Sequence, residues 1–228
     1  MVDYAAAIKK PFEDMQTALI GILIGAVSPL TLGLLGLLIT GFGLGVGRKV
    51  LNNDNKLPKW DPGQIITYIK DVIMAIIIGL VYMIPAIILF VIGGALAIGG
   101  ILTSIASGNS NALATLGGSL AAGGIFLVIG FLLAIIGGLL AIMGIQFYLK
   151  EGSIGAAFKF GAIIKKELTG TFIAAIVVYI IYAIALIVIA TVLSIIPIIG
   201  SLVGAGIMAY ALTVTSYTMF AQVFKETP

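Results

Sequence analysis

Three long runs without a charged residue dominate the chain: 15–47, 72–149 and 168–224, of 33, 78 and 57 residues. Charged positions are confined to the stretches between and around them, 3–14, 48–71, 150–167 and the pair Lys225-Glu226. A helix that crosses the hydrocarbon core of a bilayer needs about 20 apolar residues. The second run therefore holds two spanning helices, with the polar, glycine-bearing "SGNSNALATLGGS" (107–119) as the turn between them. The third also holds two and turns near "IIPIIGS" (195–201), where Pro197 and Gly200 interrupt a helix. Residues 72–104 as one helix would reach roughly 50 Å against a core of about 30 Å, so these helices must tilt, kink or protrude.

The first run is long for one span and short for two. Ser28-Pro29 falls near its middle, which allows either one kinked helix or a hairpin of two short halves. With a single crossing, Lys9 and Lys10 lie opposite the other ten Lys/Arg; with a hairpin all twelve share one side. The preference for basic residues on one face favours the hairpin. Each run then follows a segment mixing charges with apolar residues: "DYAAAIKKPFEDM", "DPGQIITYIKD" and "SIGAAFKFGAIIKKEL". In the last, Phe158, Ile164 and Leu168 can share a face while Lys159, Lys166 and Glu167 spread elsewhere, as on a helix lying among headgroups.

Composition sharpens this picture. Of 228 residues, 61% are hydrophobic and 9% charged, against about 25% charged in soluble domains, and the mean hydropathy is +1.26. The expected fold is an all-α, polytopic transmembrane bundle: two helix hairpins plus a proline-broken N-terminal apolar segment, with interfacial amphipathic helices. It has five full spans, or six if the first run is a short hairpin. One membrane domain covers 1–228: an interfacial segment (1–16), the first apolar segment (17–47), a basic loop (48–71), a helix pair (72–149), an amphipathic segment (150–167) and a second helix pair (168–224). Pro29, Pro85 and Pro197 are the expected helix breaks. Acidic Asp3, Glu13 and Asp14 around Lys9-Lys10, with no small-residue cleavage site, point to a retained first segment. The positive-inside rule puts the basic loops in the cytoplasm of a multi-pass cell-membrane protein.

The nine residues "KLPKWDPGQ" (56–64) concentrate the only tryptophan, two prolines and three charges between apolar runs. Asp61-Pro62 reads as a helix start, with Asp as N-cap and Pro in the first turn. Trp60 suits the headgroup level, and Lys56, Lys59 and Lys70 suit anionic lipid or water. Arg48, Lys49, Leu57, Pro58, Lys59, Trp60 and Asp61 form the candidate interface, for membrane lipid, a protein partner or a second copy of the chain. These segments also carry a resemblance. "KKPFEDM", a central proline, "GRKVL", "LPKWD", "IIPIIGSLVG" and "FAQVFKE" resemble a largely archaeal family of multi-pass membrane proteins catalogued as domain of unknown function 4013. That resemblance implies a fold and a membrane address; the family supplies no activity and no catalytic residue.

Little in the chain points to chemistry. There is no Cys and no His, which excludes disulfides, thiolate nucleophiles and imidazole catalysis. No catalytic, cofactor-binding or metal-ligating residue is assigned, and no cofactor; the chain is read as a non-enzyme. A net charge of +3 is too small to argue for nucleic acid. The glycines of "GFGLGVGRK" (41–49) end an apolar run instead of following a strand, so they suit helix packing, as do Gly21/Gly25, Gly43/Gly47 and Gly200/Gly204 at four-residue spacing. Whether those contacts are made within one chain or between copies stays open. None of the three runs contains an Asp, Glu, Lys or Arg, which disfavours proton coupling. Hydroxyls remain at Thr213, Thr215, Ser216, Tyr217 and Thr218, with Gln146 and Tyr148 on another span. The leading expectation is a scaffold or accessory subunit with a basic docking face. The alternative is a transporter or channel for a small neutral solute or cation, which a polar cavity lined by Ser28, Thr31 or Thr213 would favour.

Overall fold

Prolines and left-handed residues decide where the helices stop. The computed structural model describes residues 2–107 and 112–227, as eight α-helices: α1 (Tyr4–Lys9), α2 (Met15–Val27), α3 (Leu34–Leu51), α4 (Ile65–Ser107), α5 (Ala112–Glu151), α6 (Phe160–Glu167), α7 (Gly170–Leu193) and α8 (Ile199–Glu226). Among the described residues there is no strand, and the protein is an all-α polytopic bundle. Five helices, α3, α4, α5, α7 and α8, are long and apolar enough to cross a membrane. The helical segments Tyr4–Phe12 and Met15–Thr31 are apolar and long enough only when taken together, and they are bent by 77° at the break between them.

The first apolar run is a hairpin. Asp14 caps α2 by accepting from the Thr17 amide at 3.3 Å. At the other end the 3-10 turn Ser28–Thr31 carries Pro29, which has no N–H to continue the helix. Leu32 and Gly33 then take φ of 50° and 85°, reversing the chain, and the Gly33 amide closes on the Ser28 carbonyl at 2.9 Å. The arms lie against each other closely enough that a Cβ on Gly25 would sit 3.2 Å from Ile39. As a helix of 13 residues, α2 is about 20 Å long, short of a full core.

The chain sorts into two compact units, one of Met1–Ile76 with Ile142–Pro228, the other of Ile77–Ala141. In the first, α8 is the central helix, packed by α2, α3 and α7. Its glycines allow backbone to meet backbone: a Cβ on Gly206 would run into the Ile22 carbonyl and lie 2.9 Å from the Ala26 nitrogen. Gly21 holds the Tyr210 ring, Gly25 faces Gly206, Gly47 faces Leu149 and Gly204 faces Ala190. The small-residue pairs therefore meet partners within one chain. Between α7 and α8 the Pro197 break holds; Ile198 sits at φ 63°, and Gly200 is pressed so close to the Leu193 carbonyl that no Cβ fits.

In the second unit, Gly93 and Gly123 bring two helix backbones together, a Cβ on Gly93 falling 2.8 Å from the Gly123 carbonyl oxygen. Pro85 is not a break: α4 runs through it as one helix of 43 residues. Proline removes one ladder hydrogen bond, but the donors on either side keep theirs, and in hydrocarbon an abandoned ladder would cost far more. At 43 and 40 residues, α4 and α5 measure about 65 and 60 Å, twice a bilayer core. Of the stretch 107–119 expected as a turn, Ser107 ends α4 and 112–119 open α5; residues 108–111 lie outside the described residues. Unit 77–141 bears no formal charge, so every ionised side chain belongs to the first unit.

Candidate functional site

Helix ends explain where those charges go. The last carbonyls of a helix lack intrahelical donors and carry partial negative charge. Lys150 at the end of α5 donates to the Leu51 carbonyl at 3.0 Å, and Lys225 at the end of α8 donates to the Val50 carbonyl at 3.2 Å, so both cap α3. Lys166 caps α8, donating to the Phe224 and Thr227 carbonyls at 2.8 and 2.6 Å with its ammonium 4.4 Å from the Phe224 ring centroid. Lys10, also buried, donates to Glu13 at 2.8 Å and to the Asn55 carbonyl. The expectation that Lys166 spreads over an interfacial surface is thus corrected. The segment breaks at Lys159, between a 3-10 turn (Ile154–Phe158) and α6, which turns Lys166 inward while Ile164 and Leu168 stay exposed.

Arg48 and Asp71 lock the first helices together. The guanidinium donates to both Asp71 oxygens, at 2.7 and 2.8 Å, and the Tyr148 hydroxyl donates to one of them at 2.9 Å. Asp71 is 3% exposed, so a fork-to-fork pair plus a third donor is what keeps its charge tolerable. This triad joins α3, α4 and α5 at their charged ends.

The loop after α3 follows from its capping chemistry. Asn53 takes φ 64°, and Asp54 accepts from the Lys56 amide at 3.0 Å while pairing with Lys49 at 3.3 Å. Asp61 caps the turn Pro62–Gln64 that leads into α4, accepting from the Gly63 amide at 2.9 Å, as its sequence position predicts. Trp60 points into the protein: its ring stacks on Phe42 at 4.3 Å and its indole N–H donates to the Thr17 carbonyl at 3.0 Å, tying the loop to α2 and α3.

Between α3, this loop and the start of α4 lies a cavity of about 560 Å³. Arg48, Lys49, Pro58, Lys59 and Asp61 line it, joined by Asp54 and Gln64. Five of the seven candidate interface residues therefore meet around one space; Leu57 and Trp60 do not line it. Sequence reasoning missed Asp71 and Tyr148 as partners of Arg48, and the buried lysines as caps. The only local signal was a basic residue within a turn of a helix end.

Glu167, at the end of α6, is a half-buried carboxylate with a consequence for pH. Burial pushes its carboxyl up to about 7 from 4.5, and one of its oxygens has no hydrogen-bond partner among the described residues. The folded protein holds a proton that the unfolded chain releases above about pH 4.5. The stability this contributes is complete below that pH and is lost as pH rises through about 7. Thermal unfolding in detergent should show wild type losing stability between pH 5 and 8. Glu167→Gln should flatten that slope and gain about 1–2 kcal/mol at pH 8, after allowance for solvent screening.

The hydroxyls singled out on α8 separate. Thr213, Ser216 and Tyr217 line a second cavity together with Gln146. Thr218 is buried and donates to the Val214 carbonyl at 2.8 Å, and Tyr148 belongs to the Asp71 triad. Ser28 and Thr31 serve the hairpin turn, where the Thr31 hydroxyl donates to the Ser28 carbonyl at 2.9 Å.

No curated protein and no solved structure matches this chain. A family model described as "Protein of unknown function (DUF4013)" matches residues 22–198, well over half of the length. The "GRKVL" and "LPKWD" segments fall inside that stretch; "KKPFEDM" and "FAQVFKE" fall outside it. With apolar helices able to span a bilayer and the match over 22–198, the chain is a multi-pass membrane protein and belongs to the DUF4013 family.

Proposed function

We propose that this protein is a non-enzymatic membrane scaffold or accessory subunit whose charged end binds the anionic headgroups of membrane lipid. The observation that carries this is the cavity of about 560 Å³, where Arg48, Lys49 and Lys59 converge from a helix end and a loop. Arg48 and Lys49 are already paired with Asp71 and Asp54, while Lys59 is exposed and has no ion pair among the described residues. Lys9, Lys56, Lys70 and Lys165 are exposed in the same way. Lysines near an anionic leaflet contribute about 1 kcal/mol each. By the positive-inside rule that end belongs in the cytoplasm.

The test is lipid retention. The full chain, purified from nanodiscs of mixed phosphatidylcholine and phosphatidylglycerol, should carry phosphatidylglycerol enriched several-fold by mass spectrometry. The double change Lys56→Glu with Lys59→Glu should remove the enrichment. A lipid shell that mirrors the bulk mixture would refute the proposal, and capture of a second copy or another protein at this face would replace it.

A second reading, a transporter of a small solute, is favoured by the cavity that Thr213 lines. No Asp, Glu, Lys or Arg lines it, which suits a neutral solute better than a cation.

A further inference from the structure

The half-open cavity among α3, α5, α7 and α8 has a volume of about 300 Å³, about ten water molecules' share of liquid volume at ~30 Å³ each. Its polar lining is Thr40, Gln146, Tyr179, Thr213, Ser216 and Tyr217; aliphatic side chains and Phe220 complete the wall. Gln146 lies four residues before Lys150 and Thr213 twelve before Lys225, so the cavity runs from ~6 to ~18 Å below the charged end. That depth is within hydrocarbon, where polar groups need partners.

Gln146 lacks one. The residue is 1% exposed, and its Oε1 accepts no hydrogen bond from any described residue. An unmet buried acceptor costs about 1–3 kcal/mol, and folded proteins retain few of them. Two of the hydroxyls beside it are committed as donors. Thr40 donates to the Gly36 carbonyl at 3.2 Å and Ser216 to the Thr213 carbonyl at 2.9 Å, which leaves their oxygen lone pairs as acceptors. The Thr213, Tyr179 and Tyr217 hydroxyls can still donate, so the lining offers acceptors and donors together and holds no formal charge.

We infer that this cavity is a binding site for an uncharged, hydroxyl-rich group that donates hydrogen bonds to Gln146 and the neighbouring hydroxyl oxygens. The same chemistry comes from a free polyol or from the sugar headgroup of a neutral glycolipid entering from the leaflet. The site rests on the cavity of the second reading above, but not on passage of anything across the membrane.

Two arms separate the sources. In the first, the full chain in a zwitterionic, hydroxyl-free detergent is probed by saturation-transfer NMR with glycerol and with inositol. In the second, nanodiscs of phosphatidylcholine doped with monoglucosyl diacylglycerol are purified and the retained glycolipid is measured by mass spectrometry. Wild type should give a positive result in at least one arm, reduced at least five-fold in Gln146→Leu. Without ligand, Gln146→Leu should melt at the same temperature as wild type or higher, since it removes an unmet polar group. Ser216→Ala should weaken binding with its melting temperature unchanged. Equal binding by wild type, Gln146→Leu and Ser216→Ala would overturn the inference, as would no binding in either arm. So would a melting temperature several degrees lower for Gln146→Leu with Ser216→Ala binding at the wild-type level. Uptake of labelled glycerol into proteoliposomes tests transport separately: binding without uptake keeps the site and removes the transporter.

Discussion

Replacing Gly206 with alanine should destabilise the protein by about 2–4 kcal/mol, more than any other single methyl that can be added to α8 outside the Gly200 turn. The added Cβ meets the Ile22 carbonyl oxygen and approaches the Ala26 nitrogen to 2.9 Å, and both are backbone atoms that no rotamer change can move aside. The only relief is to separate α2 from α8. In a bilayer that separation is not resisted by a hydrophobic force, because lipid tails are as apolar as the side chains; close van der Waals contact is most of what holds the pair. The control is Gly79→Ala, where no heavy atom lies within 4 Å of the new Cβ; it should gain about 0.5–1 kcal/mol from better helix propensity. Reversible unfolding in mixed micelles checks both. Wild-type stability in Gly206→Ala would mean that α2 and α8 are not in contact.

The second large effect is expected at Asp71. Asp71→Ala leaves the Arg48 guanidinium without its fork and the Tyr148 hydroxyl without its acceptor, all at a position 3% exposed. Breaking a buried pair from one side costs about 3–5 kcal/mol; with Arg48 one-third exposed, about 2–4 kcal/mol is expected. The pair itself adds less than its loss suggests, since removing both ions is often neutral. Arg48→Met combined with Asp71→Leu should therefore recover most of the stability lost in Asp71→Ala. Arg48→Lys keeps the charge but not the two-pronged geometry, and should lie between. A double change no better than Asp71→Ala alone would show that the triad contributes through its ions and not through relief of an orphaned charge.

Much of the architecture was legible because membrane proteins write burial directly into composition. Charge-free runs marked the helices, Ser28-Pro29 marked the N-terminal reversal, and Asp61-Pro62 marked the start of α4. Pro85 misled, because a proline signals a missing donor, while the surrounding hydrocarbon decides whether the helix gives way. The site was only half legible. Arg48, Lys49, Pro58, Lys59 and Asp61 stand within fourteen residues and converge. Tyr148 lies 77 residues from Asp71, and Lys166 58 residues from the Phe224 carbonyl it caps. A lysine near a membrane border reads as solvated until a helix end from elsewhere arrives beside it. Gln146 stood out as a polar residue in an apolar run, but its unmet acceptor did not, since that is defined by neighbours that fail to reach it.

The confinement of every ionised group to the unit formed by 1–76 and 142–228 bears on how the chain enters the membrane. Residues 28–33, 107–119 and 194–198 carry no formal charge. Each helix pair can slip into the lipid tip first without dragging an ion through it. Moving one elementary charge costs or yields about 2.3 kcal/mol per 100 mV of transmembrane voltage; these stretches hold no charge for a voltage to act on, so their crossing is expected to be indifferent to it.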